Sequence, residues 1–152
     1  MAMATTLIEG ENRGRDAVVR KFDSRPTSAT PIDWSHLSRF TLGDKALENE
    51  VLGLFAMDAP RYLAKMVAAR QRKDWIEAAH TLKGSARAVG AWNVAECAQA
   101  AEALQLTAGG AWAEVADIRG MAEVLERLGR AVRGTVAYIE QLAASECSTS
   151  AQ

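Results

Sequence analysis

Apolar residues recur at intervals of three and four along four stretches of this chain, and that period is the signature of amphipathic helices. Val51, Phe55, Ala59, Tyr62 and Met66 mark the first stretch, and Trp75, Ala79, Leu82, Ala86 and Val89 the second. Val94, Cys97, Ala98, Ala101 and Leu104 mark the third. Ile118, Met121, Leu125, Leu128, Val132, Val136, Ile139 and Leu142 mark the fourth. No alternating run of the kind that makes a strand lies between them. Each stripe has to be buried against another element. Four long amphipathic helices with short connections therefore predict an all-α fold, an antiparallel four-helix bundle with a short additional N-terminal helix.

The breaks are readable from local chemistry. Asp33 can cap a short helix carrying Trp34, Leu37 and Phe40, and Gly43-Asp44 then stops and restarts the chain. The next helix is predicted from Lys45 to Arg70, with a kink at Pro60, which removes one backbone hydrogen bond and crowds the preceding turn. The third is predicted from Trp75 to Val89, ended by Gly90. The fourth runs from Asn93 to Leu106, followed by a break at Gly109-Gly110. The last runs from Glu114 to Ala143, and its Ser-rich continuation should fray. Its long stripe is read as bundle core and not as a dimer seam, because a bundle helix must bury that face anyway. Abundant inward Ala lets the helices approach closely. Residues 1 to 31 mix Gly, Arg, Thr, Ser and Pro and are read as a flexible tail, with a faint helical signal from Asp16 to Phe22. The organisation is thus a tail (1–31), a bundle (32–143) and a C-terminal tail (144–152).

Composition excludes several classes. A chain of 152 residues, 49% hydrophobic, is one compact domain with a sizeable core. A net charge of −1 lacks the basic footprint of a nucleic-acid binder. The four tryptophans are too dispersed for a base-stacking platform. Cys97 and Cys147 give no disulfide framework and are read as reduced thiols, which fits the cytoplasm. No apolar run is long enough to span a bilayer, and Met1 to Gly10 lacks the basic start of a secretory signal. Neither histidine stands in HExxH spacing, so no zinc site is expected.

One helix face carries chemistry. His80, Lys83, Gly84 and Arg87, with Ile76 one turn earlier, lie on the third helix about 100° from its core stripe. Lys83 and Gly84 both sit one turn beyond His80. An imidazole with a reference pKa of about 6.5 is a nucleophile at neutral pH and can form a phosphoramidate. An ammonium one turn away can hold the phosphoryl group. Gly84 costs the helix about 1 kcal/mol relative to Ala, which either close approach of another protein or tight helix packing would explain. His36 has no such companions and is read as structural or solvated.

The string His80-Thr81-Leu82-Lys83-Gly84-Ser85-Ala86, with Gly90-Ala91 after it, resembles the histidine phosphotransfer (HPt) domain. Ile32-Asp33-Trp34-Ser35-His36-Leu37, Leu54-Phe55 and Asp74-Trp75 extend the resemblance over residues 32 to 143. It implies a bundle whose histidine is phosphorylated on Nε2 by the aspartyl phosphate of a receiver domain and then passes the group to another receiver. It also implies no ATP site in the domain, and Mg²⁺ held by the receiver and not by this chain. Family members often set a polar residue of the next helix against the other ring nitrogen. Glu102 occupies that position here, with Gln99 one turn earlier. Either could face the imidazole, or both could belong to a solvated face.

These readings converge on a stand-alone, monomeric, cytoplasmic phosphorelay carrier that is not itself an enzyme. Its partners would be receiver domains of hybrid kinases and response regulators. A dimeric histidine-kinase phosphotransfer module is the first alternative; against it, Thr81 stands where an acid would follow the histidine, no proline follows the motif, and the chain shows no glycine-rich ATP lid. A non-phosphorylated docking adaptor is the second, and the intact His80, Lys83 and Gly84 argue against it.

Overall fold

A computed structural model describes residues 30–104 and 115–149. Among these residues there are five helices and no strand: α1 (Trp34–Thr41), α2 (Lys45–Ala68), α3 (Arg72–Ala88), α4 (Trp92–Glu102) and α5 (Val115–Thr149). The four longer helices form a ring in which α2 packs on α3, α3 on α4, α4 on α5 and α5 on α2, and α1 leans on α2. This is the expected all-α four-helix bundle with a short extra helix. The faint signal at Asp16–Phe22 and the Gly109-Gly110 break lie outside the described residues.

Capping decides where the helices start. The Asp33 carboxylate accepts the His36 N–H at 3.0 Å and starts α1. Asp44 accepts from the N–H groups of Ala46 and Leu47 and starts α2. Each satisfies donors that the first helical turn leaves unpaired. Between them the chain reverses through two left-handed residues, Leu42 (φ 53°) and Gly43 (φ 76°). Pro60 lies within α2, which runs through it as one element. The α3 helix begins at Arg72, a turn before the predicted Trp75, and α4 ends at Glu102.

The core is built largely from the predicted stripes, although on α2 Leu52 is buried and the predicted Val51 only partly so, and Ile32, ahead of α1, is buried as well. Trp75, Ala79, Leu82, Ala86 and Val89 are all buried, as are Val94, Cys97, Ala98 and Ala101 opposite them. Burying a large apolar side chain completely contributes about 1.5–3 kcal/mol, and Leu52, Met66, Trp75, Leu82 and Leu128 are all of this kind. Buried alanines at 78, 79, 86, 95, 98 and 101 let α3 and α4 approach closely.

Three expectations need correction. Phe40 is 70% exposed, because the inward stripe of α1 is Trp34, Leu37 and Thr41, and Phe40 falls beside it. Ile118 is 52% exposed; α4 spans 11 residues against 35 in α5, so α5 outruns its neighbour. The C-terminal segment also does not fray at Ala144, since α5 continues to Thr149. There Ser145, Ser148 and Thr149 donate to carbonyls three or four residues back in their own helix. Asn49 reaches across from α2 to the Glu146 carboxylate at 2.6 Å. Cys147 is therefore on a helix and exposed, and neither cysteine is in a disulfide.

Candidate functional site

Three structural facts set the position of His80. Trp75 is fully buried, and its indole N–H donates to the Ala101 carbonyl at 2.8 Å. That bond joins α3 to the last turn of α4, one residue before Glu102. At the other end of α3, Gly90 adopts φ 74° and its carbonyl accepts the Asp33 N–H at 3.0 Å. The Asp33 carboxylate in turn accepts the Trp92 indole N–H. These donors hold the Asp33 carboxyl below its ordinary value, with the Trp92 bond the largest cause and the His36 backbone N–H next. His36 belongs to this structural end of the bundle. Its ring packs 4.9 Å from those of Phe40 and Trp92, and its Nε2 is buried with no hydrogen-bond partner among the described residues.

His80 itself stands out on the bundle flank, with 67% of its side chain exposed. Its Nδ1 lies 2.8 Å from Glu102 Oε1. A carboxylate can only accept, so Nδ1 carries a proton, and in the neutral ring this tautomer leaves the lone pair on Nε2. The second oxygen of Glu102 accepts from the Lys83 ammonium. The Lys83 side chain is 15% exposed and that of Glu102 24%. Glu102 thus bridges the histidine and the lysine. Its carboxyl is held below the ordinary value by these two partners, Lys83 first and His80 second.

Further along the same flank, Arg87 donates to Gln99 Oε1 at 2.8 Å. Gln99 therefore meets the guanidinium, and the carboxylate at the imidazole is that of Glu102. Ile76 is partly buried against the core. Gly84 is exposed, and a Cβ built there meets nothing within 4 Å. Tight packing does not explain this glycine. Gly90 is different: its Cβ would fall 2.9 Å from the Asp33 carbonyl oxygen. The sequence reading placed His80, Lys83 and Glu102 near one another but missed the Lys83–Glu102 ion pair. Opposite charges on the facing stripes of two consecutive helices were the available signal.

A helical bundle that exposes a histidine, fixes its proton on the inner nitrogen and leaves the outer nitrogen open describes a histidine phosphotransfer module. Residues 50–135 match the family model of the Hpt domain. That is more than half of the chain, and the chain belongs to the Hpt domain family. Hpt domains carry phosphoryl groups between the receiver domains of two-component systems and are not kinases. No match was found among curated proteins or among solved structures. Among the described residues, no helix is long and apolar enough to cross a membrane.

Proposed function

We propose that His80 Nε2 accepts a phosphoryl group from the aspartyl phosphate of one receiver domain and passes it to the aspartate of another. The observation that carries this reading is the Glu102 carboxylate on Nδ1 of an exposed ring. Lys83 is the cation one turn away that meets the phosphoryl group once it arrives. The receiver docks on the flank formed by Ile76, His80, Gly84 and Arg87, where the absent side chain at Gly84 leaves room above the imidazole. Gln99 supports this face through Arg87. The Mg²⁺ of the reaction belongs to the receiver, and the chain works without a cofactor of its own. It acts as a cytoplasmic monomer and does not hydrolyse or bind ATP.

Incubation with phosphorylated receiver domains tests this directly. The label should appear on the chain, be lost in acid, and be absent in His80→Gln. Label that persists in that variant, or moves to His36, would refute the assignment. Light scattering on the same sample separates the carrier from a kinase-type phosphotransfer module, which must be dimeric.

A further inference from the structure

The Lys83 ammonium is already occupied. In the unphosphorylated chain it sits against Glu102, with only 15% of its side chain exposed. An incoming phosphoryl group at Nε2 and the Glu102 carboxylate are therefore two anions with a claim on one cation. We propose that Glu102 sets how much of the phosphoryl group this chain retains, by holding Lys83 as an ion pair that phosphorylation must loosen. This inference rests on His80 being the phosphoryl acceptor.

The step balances as follows. The Nε2 lone pair attacks phosphorus, a P–N bond forms, and the P–O bond to the receiver aspartate breaks. The aspartate leaves with the electron pair as a carboxylate. The Nδ1 proton stays on the ring, which becomes a phosphorylated imidazolium still bonded to Glu102. On the reverse step the ring leaves as neutral imidazole. Glu102 thus faces a new positive charge on the ring and a new double negative charge on the phosphoryl group farther away. These two direct effects oppose one another. The ion pair has no such offset. It is fully formed before transfer, and it weakens whenever Lys83 turns to the phosphoryl oxygens. Every contribution it makes to the resting state lowers the fraction of phosphoryl group held at equilibrium. Glu102 is then a positioning residue for Lys83 as well as for the imidazole. Glutamine at 102 would keep an acceptor for Nδ1–H while releasing the ammonium.

The experiment is the equilibrium partition of phosphoryl label between the chain and a receiver domain loaded from acetyl phosphate with Mg²⁺. Four forms are compared: wild type, Glu102→Gln, Lys83→Ala and the double variant. Glu102→Gln should raise the ratio of phosphorylated chain to phosphorylated receiver about three- to tenfold, the range for a partly screened charged contact. In the Lys83→Ala background the same substitution should change it by about twofold or less. Glu102→Ala also frees Lys83 and should shift the ratio in the same direction. An unchanged or lowered ratio in Glu102→Gln overturns the proposal. So does an equal rise in both backgrounds, because Glu102 would then act without Lys83. A wild-type chain that takes no label from any receiver refutes the reading of His80 itself, a result distinct from either.

Discussion

Gly90 and Asp33 meet backbone to backbone, with the Asp33 N–H donating to the Gly90 carbonyl at 3.0 Å. This contact closes the end of the bundle where α1 begins and α3 stops. Gly90 is suited to it twice over, by φ 74° and by the 2.9 Å that would separate a Cβ from the Asp33 carbonyl oxygen. Gly90→Ala should destabilise the fold by about 1–3 kcal/mol, read as a lower thermal midpoint by circular dichroism. A loss below about 0.5 kcal/mol would mean that the turn relaxes and the contact is dispensable.

Gly84 makes the opposite prediction. With open space around its Cα, Gly84→Gln should fold with unchanged or higher stability, because a helix-interior glycine has gone. It should nevertheless accept phosphoryl groups poorly. A side chain over the imidazole would displace a receiver docked on the proposed face, and a misplacement of about 1 Å can cost roughly a hundredfold in rate. Thermal stability and transfer rate are measured on one sample. A stable variant with full transfer would remove Gly84 from the docking face.

Glu48 is a carboxylate with no exposed surface, bonded by Ser38, Thr41 and Lys45. These partners hold its pKa below the ordinary 4.5, the Lys45 bond being the largest cause and the Ser38 bond next. A lowered folded-state pKa gives stability that is present above the unfolded value and is lost as pH falls through the folded one. Glu48→Gln should therefore cost about 1–3 kcal/mol at pH 7. That cost should shrink as pH falls below 4.5, where the unfolded chain's carboxyl takes up its proton first and the native one follows only at lower pH. Urea unfolding at several pH values checks this, and a cost independent of pH would show that the charge is immaterial.

Arg87 and Gln99 are coupled across α3 and α4 by one hydrogen bond at 2.8 Å. Both are exposed, so Gln99→Ala should leave stability within about 0.5 kcal/mol. It should slow transfer from a receiver in the wild-type background and have no further effect in Arg87→Ala. Equal effects in both backgrounds would mean that Gln99 meets the receiver by itself.

Much of this architecture is legible in the sequence because helical period and capping chemistry act locally. Asp33, Asp44 and Gly90 mark their boundaries by residue type alone. Phe40 falls beside the inward stripe of its own helix, and Ile118 is exposed because α4 is too short to cover the start of α5. The serines at the end of α5 suggest a fraying tail. Those hydroxyls instead bond the helix carbonyls behind them, and Glu146 finds Asn49 97 residues away in sequence. At the site, the spacing of His80, Lys83 and Gly84 follows from one helix. The choice between Glu102 and Gln99, and the engagement of Lys83, depend on the register of α4 against α3, which no single segment encodes.

The indole of Trp75 fixes that register. Its bond to the Ala101 carbonyl ties together the two helices that carry the histidine and its carboxylate, inside a closely packed core. The entropy of assembling the site is therefore spent during folding and not at each encounter with a partner. Such a platform would present the same backbone to every receiver that the proposed role requires it to meet. Under the proposed role, the adjustment to each partner falls to side chains, of which the exposed ones, His80 and Arg87 among them, reorient in nanoseconds or less.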